Sequence, residues 1–398
     1  MGKVFITGIG TISSLGLNVR ENLTSLREGR TGIGRARHFY SKYTDSLSFA
    51  EINLSDTQLR TVCGELEDKE LTRTTLIAIS AFSEAIADAQ LAEEDLTSFS
   101  TAFISSSTVG GMCYTDHLYA DANMKGNPSD YVRSYEGSDH TRRIVQKFGL
   151  KGFTDTINTA CSSSANAILL GAKLIKSGRA NRVIVGGADC LAKYTVNGFN
   201  SLMILSENPC KPFDAQRDGL TLGEAAAYLV LESEDVGLNK KKYAEVSGYG
   251  NSNDAFHPSA TSDQAIGPVT AMRKALETAR LSSEQIDYIN AHGTGTPNND
   301  STESFAFSQV FKPVPPFNST KSYTGHTLAA SGAIESIFSI FSLVYGELYP
   351  SLNCQNPMTE FDFRPIDQFK TKQEIHHVMS NSFGFGGNCT SIILSKCS

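Results

Sequence analysis

Residues 153–175 read FTDTINTACSSSANAILLGAKLI, and this stretch passes from a short extended segment into an apolar helix. β-Branched and aromatic residues in 153–157 favour a strand, whereas apolar residues in 165–175 recur at helical spacing. Cys161 therefore falls at or near the N-terminus of the predicted helix. Free N–H groups and the positive end of the helix dipole stabilise an anion there, which predicts a lowered pKa for the Cys161 thiol. The alternative is a buried structural cysteine, because free cysteine is among the most buried residue types.

An internal repeat organises the chain. Residues 85–96 match residues 275–286 at a constant offset of 190, and each predicted helix leads into a strand. A second match, at an offset of 160, aligns Asn158 with Asn318 ahead of another helix. The repeat favours two α/β units of related topology over chance similarity between helices rich in Ala, Leu and Glu. We assign residues 1–238 to an N-terminal half and residues 239–398 to a C-terminal half.

Composition limits the possible functions. A formal net charge of -7 over 398 residues argues against a nucleic-acid surface. No apolar run reaches the roughly 18 residues that a membrane span needs, and no signal peptide is visible. The eight cysteines form no CxxC pair. The sequence therefore predicts a reduced, cytoplasmic protein without a structural metal and without a membrane segment.

Two histidines and a lysine in the second half complete a candidate site. His292 follows a predicted strand and precedes a Gly-Thr-Gly-Thr turn, and His326 lies five residues after Lys321. If strand ends of the two halves converge, these side chains face Cys161. Two neutral histidines that donate N–H bonds to one carbonyl oxygen would stabilise an enolate. Each histidine taken alone is also compatible with a structural role.

Four ordered motifs resemble β-ketoacyl-acyl carrier protein synthases of the elongating Cys-His-His group. The motifs are NTACSSS with Cys161, NAHGTGTPNND with His292, KSYTGH with Lys321 and His326, and NSFGFGG with Phe385. The likeness extends from the opening VFITGIGTISSLG to the terminal GFGGNCTSIIL. It implies a thiolase-like α/β fold, a five-layered α-β-α-β-α double domain built from two related halves.

The resemblance also implies roles for the individual residues. Cys161 would take an acyl chain from an acyl carrier protein, and His292 and His326 would bind the malonyl thioester carbonyl and assist decarboxylation. Backbone N–H groups of Cys161 and Phe385 would form the oxyanion hole, and Phe385 would also gate the site. Lys321 would be an orienting and electrostatic residue near His326.

Further residues are expected to support the site. Glu303 and Asp300 are the expected partners of Lys321, because a buried unpaired lysine is destabilising by several kcal/mol. Val109 and Phe199 fall where the family lines its acyl pocket, with ordinary core packing as the alternative.

The resemblance implies an acyl carrier protein as partner and no cofactor. It implies a dimer, either homotypic or formed with a chain-length-factor-like paralogue. The turn after His292 and Ser331 before Gly332 depart from housekeeping elongation enzymes, which leaves polyene or polyketide synthesis beside fatty-acid elongation.

Two other enzyme classes fit the sequence less well. A thiolase would use a second catalytic cysteine near the C-terminus, and Cys389 lies beyond the GFGG segment, where a non-catalytic residue is expected. A nicotinamide-dependent dehydrogenase would need a third glycine where Ser13 stands.

Overall fold

The structure is a computed structural model that describes residues 2–65, 70–124, 126 and 128–397. The helices are α1 Val19–Arg27, α2 Asp56–Cys63, α3 Arg73–Asp88, α4 Glu93–Leu96, α5 Thr115–Met124, α6 Asp139–Phe148, α7 Ser163–Lys176, α8 Lys193–Ser201, α9 Ile266–Ala279, α10 Pro297–Val310, α11 Lys321–Thr324 and α12 Ser331–Tyr345. The strands are β1 Val4–Ser13, β2 Thr101–Ser106, β3 Thr154–Ile157, β4 Arg182–Asp189, β5 Ala225–Ser233, β6 Ala244–Asn253, β7 Tyr288–Asn290, β8 Phe317–Asn318, β9 His377–Phe383 and β10 Asn388–Ser395.

Strand order shows that the two halves share one topology. Within the described residues, ten strands form one sheet in the order β3-β2-β4-β5-β1-β6-β10-β9-β7-β8. The order read inward from one edge is β3, β2, β4, β5 and β1, and from the other edge it is β8, β7, β9, β10 and β6. Each strand of the N-terminal half therefore corresponds to the strand numbered five higher in the C-terminal half. The directions correspond too, since β2 is parallel to β3 and β4 just as β7 is parallel to β8 and β9. The prediction of two related halves is confirmed, whereas the boundary at residue 238 stays a prediction.

Helices on both faces of the strands produce the layers. The central core cluster joins α7 and α12 to strands of both halves, so these two helices lie between the N-terminal and C-terminal strands. A second cluster buries α3 against the outer face of the N-terminal strands, and a third buries α9 and α10 against the C-terminal strands. The layers therefore alternate α-β-α-β-α, as the family resemblance implied.

The two central helices approach each other closely. A Cβ added at Gly332 of α12 would lie 2.6 Å from the backbone nitrogen of Ala165 in α7. The Ser164 hydroxyl also accepts a 2.9 Å hydrogen bond from the Ala333 N–H. Glycine at position 332 is thus required by this crossing, which sets the distance between the helix that follows the cysteine and the helix that follows the second histidine.

The segment Leu328–Tyr345 is long and apolar enough to cross a membrane by composition, but 89% of it is buried inside the protein. Its hydrophobic faces contact strands of both halves rather than an external surface. The segment is therefore the central core helix of the fold.

Candidate active site

Cys161 lies in a sharp turn between a strand and a helix. β3 ends at Ile157 and α7 begins at Ser163, which confirms the predicted strand–turn–helix. Ala160 has φ of 52°, a left-handed conformation that is strained for a residue with a side chain. The turn exposes the cysteine to a cavity although the GxSxG motif of nucleophile elbows is absent from it.

Burial is the largest influence on the pKa of the Cys161 thiol. The residue is only 5% exposed. Burial raises the pKa of the thiol to about 11, while the Phe385 N–H, the Lys321 charge and the N–H of Cys161 itself oppose that rise. The predicted lowering of this pKa is therefore wrong, because the dry surroundings of the sulfur outweigh the groups that favour an anion. The resting site holds a thiol.

The loop 384–387 covers the sulfur and brings a second N–H donor to it. The backbone N–H groups of Phe385 and Cys161 both face the sulfur. A Cβ on Gly384 would lie 2.7 Å from the Thr159 carbonyl oxygen, so only glycine allows the loop to come this close. The Phe385 ring stacks on Phe199, with ring centroids 5.6 Å apart and an interplanar angle of 23°. Both N–H groups favour negative charge at this position.

His292 is held by a buried ion pair. The residue follows β7 and is 2% exposed. Lys321 Nζ lies 3.2 Å from His292 Nδ1 and 2.5 Å from Glu335 Oε1. Because an ammonium group only donates hydrogen bonds, Nδ1 must accept, and the proton of the neutral ring lies on Nε2. Burial raises the pKa of Glu335 to about 7, and the Lys321 charge opposes this rise.

His326 has the same tautomer for a different reason. The Leu328 N–H donates to His326 Nδ1 over 3.0 Å, and the Ser331 hydroxyl lies 3.2 Å from the same nitrogen. Nε2 therefore carries the proton here as well. The two rings pack edge to face with centroids 5.4 Å apart.

Both histidines are neutral N–H donors. Burial first and the Lys321 charge second hold the pKa of His292 well below its usual range, and His326 lowers it further. The same two causes lower the pKa of His326. Neutral rings with Nε2–H groups suit a developing negative charge on a carbonyl oxygen.

A metal ion fits this cluster poorly, although the spacing resembles a metal site. The Cys161 sulfur and one ring nitrogen of each histidine all lie within 4.8 Å of one another. A metal would need the lone pair of Nε2, which would move each ring proton to Nδ1, where another donor already points. The hydrogen bonds thus favour His292 and His326 as two N–H donors rather than as two metal ligands.

The partner of Lys321 is Glu335, not Glu303 or Asp300. Glu303 instead accepts the backbone N–H groups of His292 and Gly293 at 2.8 and 2.7 Å. Asp300 accepts the N–H groups at positions 294 and 295 of the same turn at 3.0 and 3.2 Å. Both carboxyls shape the loop that carries His292. Lys321 hydrogen-bonds His292, and its charge also acts on the neighbouring His326, whose pKa it lowers.

A cavity of about 260 Å³ opens beside Cys161, His292 and His326. Its apolar part is formed by Phe199, Ile204, Leu220, Phe383 and Phe385, and its polar part includes Ser259, Thr261, Thr294, Thr296, Asn298 and Asn299. Phe199 thus lines the cavity beside Cys161.

Val109 does not line this cavity. Its side chain is 1% exposed and belongs to the core cluster around α3. The Val109 N–H donates to Asp189 Oδ1 over 2.8 Å, which fixes the backbone of this residue. The core alternative therefore describes Val109 in this structure.

Sequence reasoning missed Glu335 and the apolar wall at Ile204 and Leu220. Glu335 is the only charged residue in the buried helix α12, and a lone buried carboxyl is a signal that a cation lies opposite. Ile204 and Leu220 lie outside every motif, so no pattern in the chain marked them.

Comparison with known proteins gives one consistent result. Residues 1–236 match the family described as "Beta-ketoacyl synthase, N-terminal domain", and residues 243–355 match "Beta-ketoacyl synthase, C-terminal domain". The chain is 31% identical over 410 residues to the 3-oxoacyl-[acyl-carrier-protein] synthase 2 of Staphylococcus aureus (strain N315), covering 99% of this chain and 98% of that protein.

Solved structures agree with the sequence matches. The ishigamide ketosynthase/chain length factor superposes with a TM-score of 0.92 at 29% identity, covering 100% of both chains. A ketosynthase in complex with its chain length factor from Xenorhabdus doucetiae gives a TM-score of 0.86 at 30% identity, covering 100% of this chain and 98% of that one. The five-layered thiolase-like fold is common to them.

The raised pKa of Cys161 predicts how its reactivity depends on pH. Alkylation by iodoacetamide needs the thiolate, so the rate at Cys161 should rise about tenfold per pH unit from pH 7 to pH 9 without a plateau. Peptide mass spectrometry after timed labelling measures the rate, and Cys161→Ser provides the background from the other cysteines. A plateau near pH 8 would show that the N–H donors outweigh burial.

Proposed function

The chain belongs to the β-ketoacyl synthase family, and we propose that it condenses a Cys161-bound acyl group with malonyl-acyl carrier protein to give 3-oxoacyl-acyl carrier protein. The observation that supports this reaction most directly is the pair of neutral histidines whose N–H donors flank a buried cysteine. The pathway is fatty-acid or polyketide synthesis.

Acyl transfer is the first half-reaction. The Cys161 sulfur attacks the thioester carbonyl of an acyl carrier protein, and the thiol proton passes to the departing sulfur of the carrier. Negative charge on the carbonyl oxygen is stabilised by the N–H groups of Cys161 and Phe385, each worth about 3 kcal/mol in comparable sites. The carrier thiol then leaves, and the acyl chain remains on Cys161 as a thioester.

Decarboxylation and condensation form the second half-reaction. The malonyl thioester oxygen accepts hydrogen bonds from His292 and His326, so electron density can move onto it as the carboxylate leaves as carbon dioxide. The carbon of the resulting enolate attacks the acyl carbonyl on Cys161. Collapse of that adduct expels the cysteine thiolate and releases 3-oxoacyl-acyl carrier protein. Lys321 donates a hydrogen bond to His292 throughout the reaction and does not act as the base.

The acyl chain is proposed to lie along the apolar wall of the cavity. Phe199, Ile204 and Leu220 form this wall beside Cys161, and Phe385 closes it by stacking on Phe199. A chain longer than the cavity needs movement of the Phe385 loop, which carries glycines at 384, 386 and 387.

Acyl carrier protein and a second synthase chain are the proposed partners. Solved relatives include a ketosynthase in complex with its chain length factor. In this chain β3 is an edge strand whose residues are half-buried or exposed, and Phe153 just before it is 52% exposed. Such an edge favours pairing with another chain, either an identical copy or a chain-length-factor-like paralogue. A cytoplasmic location is proposed because all eight cysteines are free thiols.

His326→Ala should separate the two half-reactions. The variant loses an N–H donor to the enolate but keeps the nucleophile and both oxyanion donors. We expect carbon dioxide release from malonyl-acyl carrier protein to fall by a factor of about 10²–10³, with acylation of Cys161 nearly unchanged. Labelled carbon dioxide and intact protein mass report the two steps.

The matched control is Cys161→Ser, which should lose acylation and condensation together because an alcohol has no comparable anion population at neutral pH. Unimpaired carbon dioxide release in His326→Ala would remove the histidine from the proposed mechanism. Condensation by Cys161→Ser at more than a trace would remove the cysteine.

Two substitutions to phenylalanine test the acyl wall. Ile204→Phe fills the cavity, so transfer of tetradecanoyl should fall more than transfer of octanoyl, and acetyl least, since each buried methylene contributes about 0.8 kcal/mol. Val109→Phe adds the same ring to the close-packed core and should lower stability by about 1–3 kcal/mol without changing the ratio of long to short transfer. Acylation rates and thermal midpoints of both variants show which of Ile204 and Val109 lines the acyl cavity and which belongs to the core. The assignment fails if Val109→Phe alters the chain-length ratio and Ile204→Phe does not.

A further inference from the structure

Asp189 is a buried carboxylate at the end of β4 to which the mechanism above gives no role. It is 0% exposed. Its oxygens accept hydrogen bonds from Ser107 Oγ at 2.6 Å, Thr108 Oγ1 at 2.6 Å and the Val109 N–H at 2.8 Å. The Ala329 N–H donates to Oδ2 over 2.9 Å. One carboxylate therefore ties the loop after β2 to the turn that follows His326, and these segments belong to different halves of the chain.

The turn bound by Asp189 sets the His326 ring. The backbone of His326 is fixed by the Thr221 carbonyl, which accepts its N–H over 2.7 Å, but this contact leaves the ring free to rotate. The ring is oriented by the Leu328 N–H, which donates to Nδ1, together with the Ser331 hydroxyl, which lies 3.2 Å from the same nitrogen. Leu328 has φ of 53°, a conformation that a leucine keeps only when its surroundings impose it. The next N–H along the chain, that of Ala329, is the one held by Asp189.

We propose that Asp189 is a positioning residue for His326: by holding the Ala329 N–H it keeps Leu328 in its strained conformation, which in turn keeps the Leu328 N–H on Nδ1 and the donor proton on Nε2. Among the described residues, none of the hydrogen-bond partners of Asp189 is Cys161 or lines the cavity. This inference rests on the proposed function, in which His326 serves decarboxylation rather than acyl transfer.

Asp189→Asn is the variant that tests it. An asparagine presents one acceptor edge and one N–H₂ edge. Each edge accepts from one hydroxyl and from two backbone N–H groups, because the Thr108 N–H is shared between the two oxygens. The backbone contacts of Oδ1, 2.9 Å from Thr108 and 2.8 Å from Val109, are shorter than those of Oδ2, 3.1 Å from Thr108 and 2.9 Å from Ala329. We therefore expect the amide oxygen to occupy the Oδ1 position and the N–H₂ group to face the Ala329 N–H, which removes the hydrogen bond to the turn.

The expected result is a split between the half-reactions. Carbon dioxide release from malonyl-acyl carrier protein should fall about 10- to 100-fold, because a displaced donor weakens the enolate contact, while acylation of Cys161 changes less than about threefold. The double variant Asp189→Asn, His326→Ala should be no slower than His326→Ala alone, since both substitutions act on one donor. A merely structural role would not produce this non-additivity.

Glu232→Gln is the matched control. Glu232 is also 0% exposed, but its ion-pair partners are Arg182 and Lys240, which lie outside the site. Its substitution should lower the thermal midpoint without separating the half-reactions. If Asp189→Asn does not fold, Asp189→Glu replaces it, because it keeps both acceptor edges but displaces them by one methylene, and the same split is expected.

Equal loss of both half-reactions, or additive effects in the double variant, would overturn the role of Asp189. Wild-type protein that neither accepts an acyl group nor releases carbon dioxide would instead overturn the proposed function, so the two failures are distinguishable.

Discussion

The buried ion pair between Lys321 and Glu335 is the contact on which the rest of the site depends. Both side chains are at most 2% exposed, and removal of either partner from such a pair leaves an uncompensated charge, with a loss of about 3–5 kcal/mol. The pair holds Lys321 beside His292, and the Lys321 charge helps to keep both histidines neutral. The ion pair therefore holds the His292 ring in place, and because Lys321 donates to Nδ1, it also leaves the ring proton on Nε2.

The double architecture brings these groups to the cysteine. Cys161 follows β3 in the N-terminal half, while His292 follows β7 in the C-terminal half. α7 and α12 cross closely enough at Gly332 that the helix behind the cysteine and the helix carrying Glu335 form one core. Neither half contains the complete set of groups, so the chemistry requires both. The site is thus a property of the joint between the two halves.

The parts of the structure that local sequence patterns determine were predictable. The strand–turn–helix around Cys161 and the repeated topology follow from periodicity and from constant offsets. The partner of Lys321 was not, because Glu303 and Asp300 were chosen from the motif that carries His292, whereas Glu335 lies in α12 outside every motif. Membership of a motif is a weak guide to pairing, since packing of α12 decides which carboxyl reaches the lysine.

The direction of the Cys161 pKa was missed for a related reason. A helix start favours the thiolate, but the loop 384–387 and the opposite half bury the sulfur, and burial dominates. For Val109 the sequence left both an acyl pocket and the core open, and the packing of its side chain around α3 favours the core. Long-range contacts decide these features.

The central claim is that His292 and His326 are both neutral at neutral pH, with the ring proton on Nε2. Long-range ¹H–¹⁵N correlation spectra of protein labelled with ¹⁵N-histidine measure this directly, with signals assigned through His292→Gln and His326→Gln. The account predicts a protonated Nε2 and an unprotonated Nδ1 for both residues between pH 6 and pH 8. An imidazolium signal, or a proton on Nδ1 of either ring in that range, would contradict it.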